Sequence, residues 1–82
     1  MRVLPLHAEI LEYLRERKLQ TKCTKQIGFL EKDLHHPSLH VELLEPKHLR
    51  FFSFRIDRRH RAIFIFRDKD TIEVLDVTHH YR

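Results

Sequence analysis

The chain is poor in the residues that loop, cross-link or anchor a protein. Gly28 is the only glycine among 82 residues, so no glycine-rich loop can gather backbone N–H groups around a phosphate, and nucleotide-driven chemistry is excluded on that ground. Cys23 is the only cysteine. It has no partner for an intramolecular disulfide, and a reducing compartment, the cytoplasm, is the expected location. Nowhere do about 18 apolar residues run together, and Met1 to His7 contain no continuous apolar stretch like a secretion signal. Neither a membrane span nor export by such a signal is expected. The His-Glu-x-x-His pair of many zinc enzymes is missing, and one cysteine cannot build a cysteine-rich zinc site, so no metal or other cofactor is expected.

The residues present define a small basic domain. Two independent cores do not fit in this length, which gives one domain spanning 1–82. Hydrophobic residues make up 41% of the chain, enough for a core and too many for a disordered segment. A domain this small hides only ~60% of its unfolded surface, so a partner that covers apolar area contributes noticeably to stability. Sixteen Lys and Arg outnumber twelve Asp and Glu, with eight His besides. That balance favours polyanionic partners, because each cation brought to a phosphate releases condensed counterions.

Apolar spacing divides the chain in two. Leu6, Ile10 and Leu14, then Cys23, Ile27, Leu30 and Leu34, recur every three to four residues and predict helices over roughly 6–18 and 22–34. Pro5 suits a first helical turn, Cys23 falls on the apolar face as a core residue, and His36-Pro37 reads as the end of the second helix. Met1 to Leu4 can add an edge strand. From Leu39 the pattern alternates, with Leu39, Val41 and Leu43 on one face and His40 and Glu42 on the other. Phe51–Ile56, Arg61–Phe66 and Thr71–Thr78 are rich in β-branched and aromatic residues, and the short connections between them require antiparallel hairpins. The expected fold class is α+β, two N-terminal helices on one face of a small antiparallel sheet.

Parity assigns the faces. An odd loop between the Phe51 and Arg61 strands puts Ser53, Arg55, Arg61, Ile63 and Ile65 together. Phe52, Phe54, Ile56, Ala62, Phe64 and Phe66 then lie opposite, whereas an even loop would bury Arg61 unpaired among the phenylalanines. In the last strand Ile72 and Val74 compete evenly with Leu75 and Val77 for the core face, so that strand stays unassigned.

Arg55, Arg58, Arg59 and Arg61, with Lys47 and Arg50 upstream, cluster around one hairpin, and the chain ends Thr78-His79-His80-Tyr81-Arg82. Arginine makes forked contacts to phosphate. Histidine titrates near neutrality. Cleavage of RNA without a metal needs a base for the 2′-OH, an acid for the leaving 5′ oxygen and positive donors at the phosphate, and Glu42, His80, Arg61 and Arg55 are the right chemical types. A solvated tail and a charged hairpin tip are the plainer readings of the same residues.

The segments HPSLHVELLEPKHL, FFSFRIDRRHRAIFIF and TIEVLDVTHHYR resemble the RelE/ParE toxin superfamily, with the YoeB-like ribonucleases as the nearest named group. The specific features are an F-x-S-x-R-I strand, a tight turn, an H-R opening the next strand and a terminal histidine–tyrosine motif. The chain departs from the family at Arg50, where a glycine is usual, and at Ser53 and Arg55, where RelE relies on lysines. The resemblance implies an mRNA endoribonuclease that works at the ribosome and is silenced by a cognate antitoxin protein. It places the stabiliser of phosphorane-like charge on Arg61, the acid and its orienting group on His80 and Tyr81, and the carboxylate base on Glu42. Lys47, Arg50, Arg55, Arg58, Arg59 and Arg82 are the expected contacts to mRNA and rRNA. ParE-like relatives instead inhibit DNA gyrase by binding and cut nothing, and an inactive binding module of the same fold is a third possibility.

Overall fold

A computed structural model describes residues 1–79 of the chain. The two amphipathic segments form α1 (Ala8–Glu16) and α2 (Gln20–Lys32). α1 is shorter than its apolar periodicity predicts, and α2 keeps the expected length but begins and ends two residues earlier. Pro5 and Leu6 precede α1 and are not in its first turn. At the other end Lys18 takes a left-handed conformation at φ 57°. The Leu19 N–H donates to Leu14 O at 2.8 Å and the Lys18 N–H to Arg15 O at 3.1 Å. These two bonds make a Schellman stop, with lysine where glycine is usual, and buried Leu19 and Leu14 supply its apolar contact. α2 likewise ends at Lys32, before His36-Pro37. His36 instead caps a separate 3-10 turn, Pro37–Leu39, in which its Nδ1 accepts from the Ser38 N–H at 3.2 Å.

Five strands follow the order β1-β5-β4-β3-β2, where β1 is Arg2–Val3, β2 Glu42–Leu43, β3 Phe52–Arg55, β4 His60–Asp68 and β5 Thr71–His79. Every neighbouring pair is antiparallel except β1 with β5. Parallel pairing needs a long crossover, and here the crossover is most of the chain. The odd β3–β4 connection is present: Arg55 pairs with Arg61 and Ser53 with Ile63. Phe54, Ala62 and Phe64 are therefore fully buried beneath the helices, in one cluster with Ile10, Leu14, Cys23 and Leu30.

A bulge resolves the ambiguous last strand. Ile63 pairs with Asp76 and Phe64 with Val74, which leaves Leu75 without a partner on β4. One extra residue reverses the in–out phase of everything beyond it. Ile72, Val74 and Val77 consequently all face the core at 0%, 2% and 6% exposure, and Leu75 is left at 36%.

Candidate functional site

The strand face away from the helices carries Ser53, Arg55, Arg61, Ile63 and Ile65, and Arg61 is its most tightly held charge. Its Nε donates to Ser53 Oγ at 2.9 Å. Its Nη2 donates to Ser53 O at 3.3 Å and, by a short bond, to the carbonyl of His40. Glu42 Oε1 lies 3.6 Å from Nη2; the arginine side chain is 12% exposed and the glutamate 62%. A largely buried guanidinium thus meets a carboxylate open to solvent.

Each partner has a local cause. Ser53 is buried under the arginine, two residues from Arg55 on the same face. Glu42 pairs with Ser53 across β2 and β3, which brings its side chain to the same row. His40 follows the 3-10 turn in a left-handed conformation, φ 44°, which points its carbonyl toward Arg61. Burial lowers the Arg61 pKa, Glu42 raises it and Arg55 lowers it, leaving it below its ordinary value. Arginine starts so high that the group stays charged at neutral pH.

The β3–β4 hairpin is braced on the opposite, helix-facing side. Asp57 Oδ1 accepts the N–H groups of Arg59 and His60, each at 2.8 Å, and the His60 Nδ1–H at 2.9 Å. Burial alone pushes the Asp57 carboxyl up, but these bonds together outweigh it and hold the carboxyl below its ordinary range. The His60 ring meets Tyr13 of α1 edge-on at 6.4 Å and lies 5.0 Å from the ring of His79. Because Arg61 pairs with Thr78 and His60 with His79, this brace lies beside the last described residues of β5, next to the Arg61 row. His80, Tyr81 and Arg82, the expected acid, orienting group and tail cation, lie outside the described residues.

The expected cations divide into two groups. Arg55 and Arg58 line a hollow of about 500 Å³ together with Lys22 and Lys25 of α2, His40 and Asp57. Arg59 is exposed next to them on the hairpin. Lys47 and Arg50 instead precede β3, at the far end from Arg55, where the Arg50 guanidinium stands 5.0 Å from the Phe52 ring centroid. Four extended residues separate the two groups by roughly 13 Å or more. His40, Lys22 and Lys25 were not legible as site residues in the sequence, and Ser53 only as a member of the Arg61 face. The one available signal was the three-residue spacing of the lysines on the flank of a predicted helix. Among the described residues no cluster of three His, Cys, Asp or Glu is placed to hold a metal ion, and no helix is long and apolar enough to cross a membrane.

No family model matches the sequence, and no curated protein matches it significantly. Solved structures do match in fold. The YoeB dimer of Staphylococcus aureus has a TM-score of 0.71 at 19% identity, over 98% of this chain and 94% of that one. YoeB in its heterotetrameric toxin–antitoxin complex with YefM, from the same organism, gives 0.70 at 19% identity with the same coverage. The YoeB/ParE toxin of Agrobacterium tumefaciens gives 0.72 at 17% identity, over 99% of this chain and the whole of that one. At such identities the likeness establishes the fold. The chain has the α+β fold of the YoeB/ParE toxins, as the resemblance of its second half implied.

Proposed function

We propose that the chain is the toxin of a toxin–antitoxin pair and that it cleaves mRNA by a metal-independent attack of the 2′-OH on the adjacent phosphodiester. The observation that carries this reading is the Glu42–Arg61 pair: a solvent-open carboxylate 3.6 Å from a guanidinium held on three protein oxygens. Fixed donors aimed at developing charge lower a barrier because they need no reorganisation during the reaction.

We assign the roles as follows. Glu42 takes the proton of the 2′-OH, and the 2′ oxygen forms a bond to phosphorus. Arg61 stabilises the negative charge that grows on the phosphoryl oxygens. The bond from phosphorus to the 5′ oxygen breaks, and His80, whose sequence position directly follows β5, gives that oxygen its proton with Tyr81 as orienting group. The products are a 2′,3′-cyclic phosphate and a 5′-hydroxyl. The cations at the hairpin hold the RNA backbone, and an antitoxin protein covers the open face in the resting cell, as YefM pairs with YoeB in the similar structures.

The test is expression of the chain in a translating extract, followed by mapping of mRNA ends. New ends carrying cyclic phosphate support the reading. Intact mRNA together with inhibition of added gyrase would replace it with ParE-like inhibition by binding.

A further inference from the structure

We propose that the hollow between α2 and the end of β3 is a second phosphate subsite, in which Lys22 and Lys25 of α2 act with Arg55 and Arg58 to hold the backbone of a single-stranded RNA beyond the scissile position. The inference rests on the RNA-cleaving reading for the identity of its ligand. Lys22 and Lys25 are three residues apart on one helix, which makes them surface neighbours with Cβ atoms ~5–6 Å apart. The β3–β4 hairpin brings Arg55 and Arg58 to face them across the hollow.

Three observations favour a polyanion there. Four cations line the hollow against one carboxylate, Asp57. That carboxylate's Oδ1 is turned to the Arg59 and His60 N–H groups and the His60 ring within the hairpin, and a single negative charge still leaves the four cations in excess. Among the described residues no carboxylate pairs with Lys22, Lys25, Arg55 or Arg58, although Glu42, Glu73 and Glu12 each pair with another arginine. Like charges left together without counter-charge destabilise a fold, and a bound polyanion removes that cost.

The hollow also adjoins the proposed reactive site through two residues. His40 lines it, and the carbonyl of the same residue accepts from Arg61. Arg55 lines it too, and pairs with Arg61 across the hairpin. A strand whose reacting phosphate rests on Arg61 therefore has its neighbouring phosphates delivered to the lysines of α2. Gln26, beneath the hollow, is turned inward: its Nε2 donates to Ser38 O and Arg55 O, and so fixes the distance between α2 and β3.

The experiment uses a fluorescent oligoribonucleotide carrying 2′-O-methyl groups, which has no nucleophile and cannot be cut. Its affinity is measured over a series of salt concentrations for the full chain, for the K22Q/K25Q double variant and for a charge-matched K18Q/K32Q control. Loss of two single-strand phosphate contacts lowers the slope of log affinity against log salt by about 1.4, at ~0.7 per contact. That drop is expected for K22Q/K25Q and not for the control. Equal slopes in the two variants, no binding of the probe, or displacement of the probe by an acidic peptide with no effect of the lysines would overturn the proposal. Cutting of mRNA in a translating extract is assayed in parallel. A normal lysine-dependent slope with no cutting removes the nuclease reading and keeps the subsite. Cutting with an unmoved slope does the opposite.

Discussion

Arg61 and Ser53 lock together diagonally across β3 and β4: the arginine Nε donates to the serine Oγ at 2.9 Å, and Ser53 is 2% exposed. The serine does not touch solvent and has no chemistry of its own in the proposed reaction. Its hydroxyl sets the plane of the guanidinium. Ser53→Ala should therefore leave Arg61 in place but less well aligned, with a cleavage rate lower by about tenfold and a stability loss of about 1 kcal/mol. Single-turnover cleavage and thermal melting of the same preparation check both halves. A rate equal to the parent's would show that the hydroxyl does not align the arginine.

Removal of the guanidinium itself should cost more. Arg61→Ala takes away the donor aimed at the developing charge, and a loss of about a hundredfold in rate is expected, equivalent to about 3 kcal/mol in the barrier. Arg61→Lys keeps the charge but cannot serve Ser53 and His40 at once, so it should recover only part of the activity. Full activity in the lysine variant would mean that charge alone suffices.

The tail provides the test of enzyme against binder. His80→Gln should abolish cleavage while affinity for the uncut 2′-O-methyl RNA stays within about twofold, because that affinity is set by Lys and Arg contacts to phosphate. Primer extension on mRNA from translating extracts reads the first quantity and anisotropy the second. Discrete ends that persist in the variant would remove His80 from the mechanism.

Asp57 gives a pH-dependent stability prediction with a definite sign. Its folded pKa lies below the unfolded value of about 3.9. A carboxyl so shifted contributes stability that is complete above the unfolded value and is lost as pH falls through the folded one. Asp57→Asn should destabilise the protein by about 1–2 kcal/mol at pH 7, where three hydrogen bonds are weakened. The gap between parent and variant should close as pH falls below about 4. Urea titrations at pH 7, 5 and 3 measure it, and a gap that stays constant would mean the bonds do not depend on the carboxylate charge.

Gly28 offers a stabilising change away from the site. It sits inside α2, and a Cβ built there meets nothing within 4 Å. Gly28→Ala should raise stability by roughly 0.5–1 kcal/mol through helix propensity alone, with cleavage unchanged. A lower melting temperature would mean that the methyl group disturbs the packing of α2.

The sequence by itself determined the two helices, the three long strands and the two faces of the β3–β4 hairpin, since each rests on a periodicity that a few adjacent residues carry. The choice of an odd hairpin loop was legible for the same reason: a charge at Arg61 cannot share a face with Phe54 and Phe64. The bulge at Leu75 could not be read, because it depends on which β4 residue each β5 residue meets, and that register is a relation between strands. Where each helix stopped was equally hidden. Lys18 adopts a conformation for which glycine is the usual signal, and buried Leu19 and Leu14 make its contact worthwhile only once the core exists. At the site, Arg61 and Glu42 were visible as chemical types. Ser53 was legible only as a neighbour on the same strand face, and the His40 carbonyl and the lysines of α2 not at all, because they come from a turn and a helix that only the tertiary fold places beside a hairpin from the second half of the chain.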